Sequence, residues 1–423
     1  MKSYYRRVSD KVLADHLESK GAVLIEGAKW CGKTTSAKQA AKSCIEMDRP
    51  DMTEQYQQMS RINPSNLLEG ETPHLIDEWQ IAPNIWNAVR YEVDQRGEFG
   101  QFILTGSSVP AQLDESMHTG TGRIVRMRMR PMSLYESKDS DGQVSLKELF
   151  EGKDVSATDN HNIDDIAFLM CRGGWPLTLN QSEKVALKQA FDYCDAVVND
   201  DVSRVDGVTR NAERMKRVMK SYARNVATQA SLETIKGDVI GNDGETFDKE
   251  TLYSYLNALR KIFVIEDVPA WNPNLRSKTA IRTSDTRYFV DPSIAAASLG
   301  IGPGDLVNNL KYMGLLFENL CVRDLRVYAD VLGGNVYHYR DKTGLECDGV
   351  VHLRNGEYGL IEMKLGGDDL INEGAETLLK VAAKIDTDKM KSPSFLMILC
   401  AVAPFAYKRK DGVFVVPISC LKD

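Results

Sequence analysis

Gly27-Ala28-Lys29-Trp30-Cys31-Gly32-Lys33-Thr34 sets two glycines around four variable residues and closes on a lysine and a hydroxyl. It follows the apolar run Ala22-Val23-Leu24-Ile25, which reads as a buried strand, and precedes a helical segment. Strand, glycine-rich loop, helix is the order that a phosphate cradle needs. The glycines let backbone N–H groups wrap an anion, the lysine reaches outer phosphates, and the hydroxyl ligates a divalent cation. Gly27, Ala28, Lys29, Trp30, Cys31, Gly32, Lys33, Thr34 and Thr35 are expected to contact a nucleotide, with ATP and Mg²⁺ as cofactors. Cys31 reads as small filler, and Thr34 as a metal ligand.

Working outward, Ile45–Asp48, His74–Asp77 and Gln101–Thr105 read as further strands, and 10–19 and 84–95 as helices. Strands separated by helices imply a parallel sheet covered on both faces. Asp77 ends one strand, where a carboxylate can hold the Mg²⁺ shell, and Glu78 beside it can polarise an attacking water. The pair argues for nucleotide hydrolysis. Thr105, at the end of the next strand, is placed to sense a γ-phosphate. Arg126, Arg128 and Arg130 alternate with Met127 and Met129, so they share one strand face. A phosphate backbone, a neighbouring subunit's nucleotide and solvent all suit such a row.

Over roughly residues 1–205 the sequence resembles prokaryotic ATPases of the AAA type, in the branch with a Glu next to the Walker B Asp. The resemblance implies a helical lid after the sheet and an arginine acting on the γ-phosphate. Arg123 in Gly122-Arg123-Ile124 and Arg172 in Arg172-Gly173-Gly174-Trp175-Pro176 are the two candidates.

Residues 137–165 are polar and weakly periodic and read as a loop-rich insertion. Helices near 211–226, 231–239 and 249–261, running into Phe263-Val264-Ile265, outline a winged helix. Lys216, Arg217, Lys220 and Arg224 lie on its first helix, but the middle of the third, Leu252 to Leu259, is rich in Tyr and Leu. Protein contact and DNA contact both remain open for it. The stretch 272–310 is rich in Pro, Ser, Asn and Gly and reads as connection. The expected organisation is a P-loop ATPase core at 1–135, a helical lid with its insertion at 136–205, a winged helix at 206–272, a connection at 273–309 and a second α/β domain at 310–423.

In that last domain Asp348 is followed, on the next strand, by Glu362-Met363-Lys364. A PD-(D/E)XK-type nuclease needs this set: two carboxylates for Mg²⁺ and a lysine to position or activate water. Glu318, on the preceding helix, is placed to complete the metal site. Asp348 and Glu362 share a face only in one register. A two-residue turn at Asn355-Gly356 pairs Asp348 with Met363. A three-residue loop, Arg354-Asn355-Gly356, pairs Leu353 with Glu357, sets Asp348 opposite Glu362, and sets Glu346 opposite Lys364. The second register is the expected one. Residues 200–423 also resemble the domain of unknown function that closes a large family of bacterial and archaeal AAA ATPases.

Composition narrows the rest. The 423 residues carry 53 basic and 60 acidic side chains, a formal charge of −7, so no global positive field draws the chain to nucleic acid. The longest uncharged apolar run, Phe395 to Tyr407, holds Pro404 and is too short to span a bilayer. The N-terminal residues lack a signal-peptide core, and the 8 cysteines form no C-x-x-C pair. A cytoplasmic ATPase is expected, away from membranes. Its output is a nuclease or DNA-processing activity, or alternatively a nucleotide-controlled switch whose rear half only binds a partner. DNA, a protein and a second copy of the chain are the candidate partners.

Overall fold

Five short strands build the first sheet: β1 (Ala22–Glu26), β2 (Ser43–Glu46), β3 (His74–Asp77), β4 (Phe102–Gly106) and β5 (Ile124–Arg128). The computed structural model describes residues 4–107, 120–204, 207–240, 247–273 and 284–423. All pairings in this sheet are parallel, in the order β2-β3-β4-β1-β5. Alternate residues of β1, β3 and β4 supply two cores. Ala22, Leu24, Ile76 and Leu104 pack with Trp79, Trp86 and Val89 on one face. Val23, Ile25, Leu75 and Ile103 pack with Leu13, Ala37 and Met127 on the other. Burial on both faces is why these strands read as continuous apolar runs. Each fully buried Val, Leu, Ile or Met side chain among them contributes about 1.5–3 kcal/mol of apolar burial. Helices α1 (Ser9–Ser19), α2 (Lys33–Ala40), α3 (Thr53–Ile62) and α4 (Ile85–Arg96) accompany the strands. The second strand begins earlier than its apolar signal suggests, because pairing with β3 starts at Ser43 opposite His74.

The chain folds as two compact units. One gathers the described residues of Met1–Pro131, Asn199–Arg210 and Asn257–Phe263; the other gathers Met132–Val198, Asn211–Leu256 and Val264–Asp423. Residues 132–135, expected in the ATPase core, and 136–198, expected within a lid, therefore belong to the second unit.

The loop-rich expectation for 137–165 holds only in part. Those residues contain β6 (Val144–Ser145), a helix at Leu146–Phe150 and β7 (Ala157–Thr158). In the second sheet, β7 joins β8 (Gly334–Arg340), β9 (Glu346–Leu353), β10 (Tyr358–Lys364), β11 (Phe395–Cys400), β12 (Phe405–Lys408) and β13 (Phe414–Pro417) in the order β7-β12-β13-β11-β10-β9-β8. β6 pairs with β14 (Leu421–Lys422), and Ser145 Oγ donates to the Asp423 carbonyl. The partners of these two-residue strands lie over 200 positions away, so no local pattern announces them.

Helices at Ala212–Arg224, Leu232–Ile240 and Lys249–Lys261 follow, and an antiparallel ribbon joins 264–268 to 286–290. The expected connection instead forms helices at Pro292–Leu299 and Pro303–Val307, with Asp291, Ser293 and Ile294 fully buried. Small residues, Ala295-Ala296-Ala297-Ser298, let the first of these pack closely against Ala212–Arg224 and Glu183–Ala196. Loop-like composition here is close-packing composition.

A buried ion triad ties this unit together. Arg323 donates to Asp291 Oδ2 at 2.9 Å and to Asp324 Oδ1 at 2.8 Å. Asp291 Oδ2 also accepts the Gly174 N–H at 2.9 Å, and Asp324 Oδ2 accepts the Leu134 N–H at 2.9 Å. A Cβ on Gly174 would stand 2.1 Å from the Met132 carbonyl oxygen, so only glycine fits. The Gly173-Gly174-Trp175 stretch serves packing of the second unit.

Candidate nucleotide site and rear carboxylate cluster

Gly27 to Thr34 leaves the carboxyl end of β1, where ligands bind in open α/β sheets. A Cβ on Gly27 would meet the Met129 carbonyl oxygen at 2.0 Å, and Gly32 takes φ 101°, so both glycines are sterically required. Trp30 holds φ 66° and leaves its ring 38% exposed. Cys31 is buried, its Sγ donating to the Met129 carbonyl at 3.5 Å, in keeping with filler. Lys33 is 6% exposed, and its Nζ donates to the carbonyls of Gly27 and Ala28 at 2.9 Å each. That holds a cation at the mouth of the loop, folded onto groups that a phosphate would replace. Lys29 forms an ion pair with Asp201. Thr35 faces solvent.

Thr34 Oγ1 donates to Asp77 Oδ1 at 2.8 Å, and Thr105 Oγ1 donates to the same oxygen. β4 lies between β1 and β3, which is how the ends of three strands bring loop, acid and threonine together. Glu78 sits in the left-handed region at φ 53°. Strain of this kind costs about 1–3 kcal/mol and persists where surroundings impose it. Burial pushes the Glu78 carboxyl above the usual carboxylate range, while Lys33 pulls it back. Gln80 Nε2 donates to its Oε2, and Ser107 Oγ lies 3.4 Å from the same oxygen. These are residues that fit Mg-ATP: a glycine cradle, an inward lysine, and a hydroxyl–carboxylate pair of hard oxygen donors. Bound there, Mg²⁺ supplies charge neutralisation at the phosphates.

Each of the two expected arginines pairs with an acid of its own unit. Arg123 precedes β5, its carbonyl accepting from the Ala22 N–H at 3.1 Å, so it stands at the end of β1 opposite the loop. Its guanidinium pairs with Asp94 at 2.7 Å. Arg172 belongs to the second unit, is 7% exposed, and forks onto Asp139 at 3.0 and 2.6 Å. In the alternating row, Arg126 pairs with Glu26 at 2.7 Å and Arg128 stacks on Phe263 at 4.6 Å.

The second unit carries the other expected cluster. Gly356 is left-handed at φ 85°, the Leu353 N–H donates to the Glu357 carbonyl at 2.8 Å, and Gly349 pairs with Ile361. This is the three-residue register. Beyond Gly349 the Asp348 carboxylate takes the ladder's place, accepting the Met363 N–H at 2.9 Å. The expected Glu346–Lys364 pair is consequently not made: Glu346 binds Arg340 at 2.8 Å. Lys364 instead stands between two acids, 2.6 Å from Glu362 and 3.4 Å from Asp348. Gly374, on the helix Asp368–Ala383, packs over them; a Cβ there would lie 3.4 Å from Lys364 Cε.

Glu362 is 3% exposed; burial and then Asp348 push its carboxyl up to about 8. Glu318, on the helix Leu310–Val331, accepts from Tyr288 Oη; burial, then Asp348, drives it well above the usual range. Burial opposes the Lys364 charge, but Asp348 and Glu362 outweigh it and hold the ammonium protonated. Glu318, Asp348, Glu362 and Lys364 are thus brought within electrostatic reach of one another. Among the described residues, no group of three or more His, Cys, Asp or Glu side chains is arranged to hold a metal ion. Sequence reasoning missed Tyr288, Gln80 and Asp201, each remote or unremarkable in sequence.

Residues 19–138 match a family model described as an AAA domain, which supports a P-loop ATPase of the AAA type for the first sheet. Residues 163–305 match the domain of unknown function DUF8612, and 313–421 match the domain of unknown function DUF4143. Uncharacterized proteins of Mycobacterium tuberculosis and Mycobacterium bovis are each 22% identical over 342 residues, covering 80% of this chain and 69% of theirs. A Walker-type ATPase of Pyrococcus abyssi shares 15% identity at a TM-score of 0.43, over 70% of this chain and 96% of its own. No helix among the described residues is long and apolar enough to cross a membrane.

Proposed function

We propose that the chain is an ATP-hydrolysing protein that couples hydrolysis at Gly27–Thr34 to a nuclease-like rear domain acting in DNA processing. The observation that carries the ATPase reading is the convergence of Thr34 and Thr105 on one oxygen of Asp77, with Glu78 next in the chain. In this reading Lys33 binds outer phosphates, Thr34 and Asp77 hold Mg²⁺, Thr105 senses the γ-phosphate, and Glu78 takes a proton from water. Asp77→Asn keeps the shape but weakens the anchor for both threonines. Mg²⁺-dependent ATP turnover by the full chain should fall about 10–100-fold. Unchanged turnover in that variant would remove Asp77 from the scheme.

The three helices and ribbon between 212 and 290 support a winged helix, and the Asp348–Glu362–Lys364 hairpin with Glu318 supports a PD-(D/E)XK-like domain. A second reading has its own observation. Lys364 already stands as a counter-charge between Asp348 and Glu362, as suits an inert domain that binds a partner under nucleotide control. Calorimetry with Mn²⁺ separates the two. The nuclease reading expects binding that Asp348→Ala abolishes, with DNA cleavage lost in the same variant. Wild-type protein that takes up no Mn²⁺ and leaves linear, circular and branched DNA intact would favour the switch.

A further inference from the structure

Arg7 is an unusual residue to bury: 4% exposed, in a segment that sequence alone marks only as not a signal peptide. Its guanidinium bridges two elements. Nη1 donates to the Cys31 carbonyl, inside the phosphate loop, at 2.7 Å. Nη2 donates to the Arg130 carbonyl, just past β5, at 2.8 Å. A planar fork with fixed donors suits this bridge in a way a lysine's single ammonium does not.

The bond to Cys31 has a consequence for its neighbour. In a planar trans peptide the C=O and the following N–H point in opposite directions. Pinning the Cys31 carbonyl onto Arg7 therefore turns the Gly32 N–H away from Arg7. Gly32 is the last glycine of the loop, at the start of α2, where such N–H groups meet phosphate oxygens. Three more hydrogen bonds fasten the same N-terminal segment. Tyr4 Oη shares a hydrogen bond with Ser36 Oγ of α2 at 2.8 Å and donates to Asp10 at 2.7 Å, while the Arg7 N–H donates to Asp10 Oδ2 at 2.9 Å. Loop, helix and strand exit are thus held by one short stretch lying before α1.

We propose that Arg7 is a positioning residue that presets the phosphate loop by fixing the Cys31–Gly32 peptide. This rests on the reading of Gly27–Thr34 as a nucleotide site. Without Arg7 the competent loop is one conformer among several, and apparent affinity falls by the fraction populated. That loss falls equally on ADP and ATP, because both carry the phosphates this peptide meets, and chemistry at the bound γ-phosphate is untouched.

The test titrates full-length wild type, Arg7→Ala and Arg7→Lys with Mg-ADP and Mg-ATP, with steady-state turnover and thermal melts alongside. Arg7→Ala should raise both Kd values, and KM, by about tenfold or more, as a loop populated about a tenth of the time requires, with kcat nearly unchanged. Arg7→Lys, reaching one carbonyl but not both, should lie between. A folded Arg7→Ala with wild-type Kd overturns the proposal, as does a fall in kcat at constant KM. If Arg7→Ala does not fold, Arg7→Lys decides alone, and wild-type affinity in it overturns the proposal. Wild type that binds no nucleotide sinks the nucleotide reading and this inference together. Wild type that binds beside unaltered variants sinks this inference only.

Discussion

Glu78→Gln should bind Mg-ATP with wild-type affinity and hydrolyse it about 10²–10⁴-fold more slowly, the range of a lost general base. The substitution keeps shape and removes only the oxygen that accepts a proton. Burial already lifts this carboxyl above the ordinary range, bringing it nearer to the pH at which it must act. Its left-handed backbone, and the donors Gln80 and Ser107 on Oε2, hold the group in one orientation. Phosphate release under single turnover, with filter-bound ATP counted in parallel, checks both halves of the expectation. Hydrolysis at the wild-type rate would remove Glu78 from the reaction.

Arg323→Met should lower the stability of the second unit by about 3–5 kcal/mol, the cost of breaking a buried ion pair from one side. Arg323, Asp291 and Asp324 are all almost wholly inaccessible to solvent. Burial, with a smaller push from Glu136, lifts the Asp324 carboxyl to about 6 even with Arg323 beside it. Removing the cation leaves two such carboxylates facing apolar surroundings, and with them the anchors of the Gly174 and Leu134 N–H groups. Urea unfolding measures the loss. Adding Asp291→Asn and Asp324→Asn removes the stranded charges and should regain part of it. A single variant as stable as wild type would mean that the triad contributes nothing to holding 132–175 against 291–324.

What could be read from the sequence was local. The phosphate loop, His74–Asp77 and the hairpin loop at 354–356 each advertise themselves through glycines, a hydrophobic run or a period of two, and the structure keeps their spans. Partners far apart in the chain left no such signal. β6 and β7 are two residues each and owe their existence to strands near the C-terminus. The glycines beside Arg172 gave no hint of what Gly174 does, because its role is a close approach to Met132, 42 positions earlier. Arg7 carries no motif; its meaning lies in the two carbonyls it meets, one of them 24 positions away and the other 123.

Nucleotide binding at Gly27–Thr34 is decided by calorimetric titration of Mg-ATP into wild type and Lys33→Ala. Lys33 is buried with its ammonium turned into the loop, so its loss removes charge-assisted bonds worth about 1.5–3 kcal/mol each. The account predicts one ATP per chain for wild type and no measurable binding for a Lys33→Ala variant that melts like wild type. Equal affinity in the two proteins, or no binding by either, would contradict it.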